Sequence, residues 1–234
     1  MAVMKIRMNG QLLLLRLAEM LIKIGCKMIQ YNTDGLYLIC KKNKLDEYHK
    51  VVKEFEEFSL LTMETDEYKA MYQLAINDYI VVPINGKVKE KGFFITETKL
   101  GKGLTPKVIP KAIQAYLLEG KPIKEFIENH TEIKDFLMSE KTGKQWTVEY
   151  NNVIQQRTNR FYASTDGAYL WKWKDSPEGK SYQNMLASSG VTILNQLDEK
   201  PISERKINYR YYLREALKII DTLEPKQLSL FTDF

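Results

Sequence analysis

Apolar and polar positions alternate in short runs along much of this chain, and residues that favour turns separate the runs. Gly25 to Gln30 alternates with Cys26, Met28 and Gln30 on one face, and Leu36-Tyr37-Leu38-Ile39-Cys40 is rich in apolar and aromatic residues. Between them lies Tyr31-Asn32-Thr33-Asp34-Gly35, so two strands flanking a tight polar turn are predicted. Asp-Gly between apolar runs is an ordinary hairpin signal, because Gly accepts the positive φ the turn demands. An Asp at such a tip is also suited to a divalent cation, which takes hard oxygen ligands presented from a rigid turn. One Asp is not a metal site; a second carboxylate is needed.

Helical spacing brackets this hairpin. Residues 9 to 24 read as a helix with Asn9 as candidate N-cap and Gly25 as its stop. Leu12 to Leu15 make it apolar on more than one side, as expected of a helix packed under the hairpin. Lys44 to Phe58 is an amphipathic helix whose Glu54, Glu56 and Glu57 form a solvated face. Leu60 to Ile76 has a strand-like texture in which Glu64 and Asp66 are either surface acids or a further carboxylate beside Asp34. A second hairpin follows, Tyr79 to Ile84 and Lys87 to Phe94 around Asn85-Gly86, with the signature of a type I′ turn. Its return strand puts Lys87, Lys89 and Lys91 on one face, ~6.6 Å apart, a stripe of about 13 Å. Lysines guarding a sheet edge would look the same.

Beyond a Gly/Pro/Lys-rich loop at 100 to 110, three short helices are predicted at 111 to 119, 122 to 129 and 131 to 138, the last capped by Thr131. Ser139 to Lys144 reads as a polar connector. Arg157, Arg160, Phe161 and Tyr162 precede Thr165-Asp166-Gly167, and period-two spacing then sets Tyr169, Trp171 and Trp173 on one face and Lys172 and Lys174 on the other. Aromatics beside basic residues can stack bases, but three rings on one face fit a core against a helix better. Val191 to Leu194 reads as a buried strand, and Glu204 to Leu223 as a long helix with Tyr209, Tyr212, Leu213, Ala216 and Ile220 inward.

Charge sharpens this picture more than composition does. The 234 residues are 44% apolar, enough for one large domain or two small ones, and the net charge is +5. Residues 79 to 114 alone carry seven lysines against two acids, an excess equal to that of the whole chain and the footprint of a polyanion partner. Cys26 and Cys40 show no zinc spacing and would face each other across the hairpin, a pairing that leaves either reduced thiols or a disulfide. No apolar run approaches the ~20 residues of a membrane span. Arg16 and Glu19 interrupt the only leader-like stretch, so a soluble cytoplasmic protein is expected, in a host cytoplasm if phage-encoded.

Tyr31-Asn32-Thr33-Asp34-Gly35 resembles the third palm motif of family B DNA polymerases, commonly Tyr-x-Asp-Thr-Asp-Ser, in its bacteriophage variant, and Lys5 to Gln11 is similar to the segment leading into it. Asn32 replaces the first Asp of that pattern and Gly35 its Ser. The resemblance implies an α+β fold: an antiparallel β-hairpin palm remnant backed by helices (residues 1 to 99), a mainly helical thumb with a small aromatic-rich β element (100 to 224), and a tail (225 to 234). It implies Asp34 as the catalytic, metal-binding carboxylate in a two-Mg²⁺ mechanism, with Asn32 and Glu64 as further candidate ligands. Tyr79 and Lys91-Gly92 match a Tyr and a Lys-Gly pair at the family's primer-binding face, although Asn77-Asp78 stand where basic residues are usual. Tyr31, Thr33, Lys87, Lys89, Lys99, Lys102, Arg157 and Arg160 complete the candidate DNA contacts, and the order Asn208-Tyr209, Tyr212, Glu215-Ala216 also resembles the end of phage enzymes of this kind. Gln227-Leu228-Ser229-Leu230-Phe231 looks like the peptide that binds bacterial sliding clamps, with Gln227, Leu228, Leu230 and Phe231 as anchors.

The family's first palm motif, Asp-Ser-Leu-Tyr-Pro-Ser, and its Lys-x-x-x-Asn-x-x-Tyr-Gly helix are absent from this sequence. The expected partners are therefore primer-template DNA, a deoxynucleoside triphosphate, an N-terminal polymerase fragment carrying those motifs and a sliding clamp, with no membrane. The chain alone is expected to be inactive. The alternative is a non-catalytic DNA- and clamp-binding module with a degenerate palm.

Overall fold

The computed structural model describes residues 2–32, 35–97 and 103–223. The protein is α+β with antiparallel sheets. Its elements are α1 (Ala2–Lys23), β1 (Lys27–Tyr31), β2 (Leu36–Ile39), α2 (Leu45–Ser59), β3 (Tyr68–Ala75), β4 (Asp78–Pro83), β5 (Lys89–Lys91), α3 (Val108–Glu119), α4 (Ile123–Asn129), α5 (Ile133–Phe136), β6 (Met138–Lys141), β7 (Thr147–Tyr150), β8 (Val153–Gln155), β9 (Thr158–Ala168), β10 (Leu170–Ser176), β11 (Gly179–Asn184), β12 (Val191–Ile193) and α6 (Tyr209–Leu223). The chain divides into two compact units, Met1–Ala70 with Pro83–Lys87, and Met71–Val82 with Val88–Phe234, so the division falls within β3 and β4. No helix among the described residues is long and apolar enough to cross a membrane.

In the first unit α1 starts seven residues before the expected Asn9, which becomes an interior position. The helix ends where expected, with Gly25 N–H bonded to the Ile22 carbonyl and Cys26 N–H to that of Leu21. Leu17, Leu21, Cys26 and Phe55 of α2 form the core under the antiparallel β1–β2 pair. Burial and the neighbouring Cys40 push the Cys26 thiol up to about 11, and both cysteines are free. Residues 60 to 67 are irregular, and the expected strand begins only at Tyr68, whose ring meets that of Tyr37 on β2 at 6.0 Å.

The second unit is built around β9, the central strand of the sheet β12-β9-β6. At Tyr169 the chain leaves this sheet and continues as β10 in a four-stranded sheet, β11-β10-β7-β8. The β content beyond residue 100 is thus larger than one aromatic-rich element: Ser139, expected in a connector, lies in β6, and Asp166-Gly167 runs inside β9. A Cβ at Gly167 would stand 2.2 Å from the Val191 carbonyl oxygen, so only glycine lets β12 approach this closely. Asn151 and Asn152 (φ 50° and 62°) make the two-residue turn between β7 and β8. The third predicted short helix shrinks to α5, a single turn with no side-chain cap, because the chain enters β6 at Met138.

Side chains of α3, α4 and α6 share one apolar cluster with Phe136, Phe161, Tyr162, Leu170 and Val191. Helix α6 starts at Tyr209 instead of residue 204 because the Asn208 side chain accepts the Tyr211 N–H at 3.2 Å. The fully buried Tyr212 hydroxyl accepts the Ala163 N–H (2.8 Å) and donates to the Phe136 carbonyl (2.9 Å). Tyr212→Phe would strand both buried backbone groups, and a loss of about 1–3 kcal/mol in the unfolding free energy by urea titration is expected.

Candidate nucleic-acid interface

Strands β1 and β2 converge on the motif. Met28 pairs with Leu38 and Gln30 with Tyr37, so Ile29 is bulged, and the Asn32 N–H donates to the Gly35 carbonyl at 2.9 Å. Thr33 and Asp34, between those two residues, lie outside the described residues. The Gln30 amide donates to Asn32 Oδ1 at 2.5 Å, so that oxygen already holds a hydrogen bond. Tyr31 is exposed. Glu64 is exposed in the irregular segment ahead of β3. That segment is fastened to α2 by the Met63 N–H on Glu56 Oε1 (2.6 Å) and by Tyr48 and Thr65 hydroxyls 3.1 Å apart. Among the described residues no three His, Cys, Asp or Glu side chains converge on a point that could hold a metal ion.

The second hairpin is more informative. Its register pairs Tyr79 with Lys91, Ile80 with Glu90 and Val81 with Lys89. Only Gly86 of Asn85-Gly86 has a positive φ, so the connection is a longer loop and not a type I′ turn, and Lys87 sits in that loop rather than in β5. Lys89 and Lys91 point outward and Glu90 inward, the alternation of a half-buried strand. Tyr79 is buried, and the Lys91 ammonium lies 5.4 Å from its ring centre. Immediately after Lys91 the chain doubles back. Gly92 has φ 62°, and a Cβ there would lie 2.1 Å from both the Asn77 carbonyl oxygen and Asp78 Oδ1, while the Phe93 N–H donates to Asp78 Oδ1 at 2.8 Å. Asp78 thus clamps the Lys-Gly turn.

Glu90 anchors the inner side of β5. It accepts the Thr96 N–H and hydroxyl at 2.8 Å and the Gln114 amide of α3 at 3.0 Å, and Gln114 also donates to the Phe94 carbonyl. Burial works to raise the Glu90 pKa, but the hydrogen bonds from Thr96 and Gln114, with Lys107 nearby, outweigh it and leave it lowered.

The remaining charges sort by position. Lys107 donates to the Ile95 carbonyl at 2.6 Å, and burial lowers its pKa against the pull of Glu90. Lys111 and His130 both contact the fully buried Asp135 at 2.6 Å, an internal charge cluster. Exposed lysines of the basic run are therefore Lys87, Lys89 and Lys91, while Lys99 and Lys102 lie outside the described residues. Arg157 and Arg160 are tied to backbone carbonyls of Thr142 and Asn195, each at 2.9 Å, and so hold loops together.

The aromatic strand departs from expectation. Leu170 is buried and the opposite face carries the rings, with Tyr169 and Trp171 exposed and Trp173 donating to Glu149 at 3.1 Å beneath the Lys180 ammonium (3.8 Å from its ring centre). These rings do not form the core, because α3, α4 and α6 pack with the residues of the other face. Gln227, Leu228, Leu230 and Phe231 lie outside the described residues.

Gly92→Ala would collide with backbone at a strained φ, so a loss of more than about 2 kcal/mol in urea unfolding is expected. Because the folded-state pKa of Glu90 is lowered, its stabilisation is complete above the ordinary value of 4.5 and is lost as pH falls through the folded value. Glu90→Gln should therefore lower the urea midpoint at pH 7, with a difference from wild type that shrinks toward pH 3.

No family model matches the chain, and no curated protein matches it.

Proposed function

We propose that the chain is the rear palm and thumb of a phage-type family B DNA polymerase, working with a polypeptide that supplies the first two palm motifs. The observation that supports this most is the pairing of Tyr79 with Lys91 across β4 and β5, with Gly92 locked against Asn77 and Asp78. The three residues that carry the primer-face resemblance are brought into one small structure, with the ammonium groups of Lys89 and Lys91 outward. Lysines fixed on a strand in this way meet the primer backbone as point charges, which gives grip without sequence preference and strong dependence on salt. Asp34 would contribute one carboxylate to Mg²⁺ and the completing polypeptide the other, together with the triphosphate-binding helix. The Gln227-Leu228-Ser229-Leu230-Phe231 peptide would tether the enzyme to a sliding clamp and raise its effective concentration on DNA.

One observation favours a second reading. Asn32 is an amide held by Gln30, which fits a palm that has given up catalysis and serves as a DNA- and clamp-binding module.

Magnesium-dependent primer extension separates the two. The chain alone should be inactive, and its mixture with the upstream polypeptide active. Asp34→Ala should lower the rate of the mixture by more than about 10²-fold, since even outer-sphere partners of a metal are worth 10–100-fold. Unchanged activity in that variant, or robust extension by the chain alone, would overturn the reading; DNA binding without extension in any mixture would establish the module.

A further inference from the structure

The two cysteines of the chain sit at the open end of the first hairpin, Cys26 one residue before β1 and Cys40 one residue after β2. Lys27 pairs with Ile39 and Met28 with Leu38, and the same register carried one step further sets Cys26 directly opposite Cys40. Opposed Cα atoms of an antiparallel pair stand ~4.5–5.5 Å apart, inside the about 4.4–6.8 Å that a disulfide spans. The side chains share a face as well. Both cysteines pack with the core of Leu17, Leu21 and Phe55, and the Cys40 thiol acts on that of Cys26 through a hydrogen bond and its charge.

The two sulfurs are not equivalent. Cys26 is 5% exposed, and burial, with Cys40 beside it, raises its pKa to about 11, so at neutral pH it is a protonated, shielded thiol. Cys40 is only partly buried and lies where the chain leaves the sheet, its Sγ 3.6 Å from the Lys41 carbonyl oxygen. Lys27, Lys41 and Lys42 are exposed close by in the chain or across the pair, a setting that draws small anions. No third cysteine competes for either sulfur. An accessible thiol with a buried one directly opposite is the arrangement of an attacking and a resolving cysteine.

We infer that Cys26 and Cys40 form a redox-sensitive staple across the base of the β1–β2 hairpin, closed by a small anionic disulfide such as oxidised glutathione and reopened by the corresponding thiol. In closing, the Cys40 thiolate attacks one sulfur of the small disulfide, which forms a mixed disulfide and releases one thiolate. Cys26 then gives up its proton, and its sulfur attacks Cys40 Sγ and releases the second thiolate. The protein gains one S–S bond and loses two protons and two electrons; these convert the small disulfide into two thiols. The ring so closed contains every residue from 26 to 40 and ties the end of α1 to the approach to α2. The staple closes whatever the hairpin tip serves.

The test incubates the folded, reduced full chain with oxidised glutathione, then alkylates it and digests it with trypsin for mass spectrometry. The expected product is a monomer in which the peptide of residues 24–27 is bonded to that of residues 28–41. Hydrogen exchange over residues 27 to 39 should slow by about 100-fold, the constraint that a closed loop of this length places on opening. Dithiothreitol should restore the original exchange. Cys40→Ser, at the partly exposed position, should exchange like the reduced wild type and lose the response to oxidant, while Cys26→Ala should stop at a glutathione adduct on Cys40. Should Cys26→Ala not fold, Cys40→Ser carries the control alone. The proposal is overturned by a wild-type adduct on Cys40 that never passes to Cys26, by a dimer joined through Cys40, or by no reaction. A cross-link formed only in urea, or one that leaves exchange unchanged or faster, would overturn it equally.

Discussion

The second unit depends on one hydroxyl. Tyr212 is completely buried, and burial drives its pKa well above the ordinary 10, so it stays neutral and serves as donor and acceptor at once. Through it α6 is fixed to the middle of β9 on one side and to the end of α5 on the other. The rings of Phe136 and Tyr211 stand edge-on to it at 5.1 and 5.0 Å, and the apolar cluster of the helices and both sheets grows outward from this point. A buried polar group of this kind is costly unless every partner is in place, which is why it specifies one packing arrangement over others.

The β5 strand relies on a comparable economy of polar contacts at its two ends. Asp78 takes the Phe93 N–H, and Glu90 takes three donors from Thr96 and Gln114. A strand of only three residues would otherwise fray, since a short edge pair has little apolar area of its own. Held at both ends, it keeps Lys89 and Lys91 on its outer face. The acids are thus as much a part of the basic stripe as the lysines.

Two exposed features stand apart from these satisfied networks, the amino-terminal half of α1 and the ring-bearing face of β10. On β10 the rings are engaged locally: Lys180 covers Trp173, Lys172 and Lys174 lie 5.6 and 5.1 Å from the Trp146 ring centre, and Glu149 holds the Trp173 indole. Val3, Met4 and Ile6 of α1, by contrast, are 65–71% exposed.

Local sequence by itself determined the helices with a clear stop or stripe, among them α1 as far as Gly25, α2, and the inner face of α6 at Tyr212, Ala216 and Ile220. It also determined the β1–β2 pair, because two apolar runs joined by five residues have no other partner within reach. It misjudged turns. Asn85-Gly86 carries the strongest two-residue turn signal yet opens a longer loop, since Ile84 bonds back to Glu67 and draws the strand aside. Asn151-Asn152 carries a weaker signal and makes the tight turn, because β7 and β8 are both held by the sheet around β10. Asp166-Gly167 lies within a strand, where glycine serves the close approach of β12. The face of β10 that is buried was also beyond local reading: alternation gives two faces, and only the packing of α3, α4 and α6 chooses between them. Residue types thus set which elements form, while tertiary contacts decided which lysines remain outside, which arginines are spent on loops, and which aromatic face meets water.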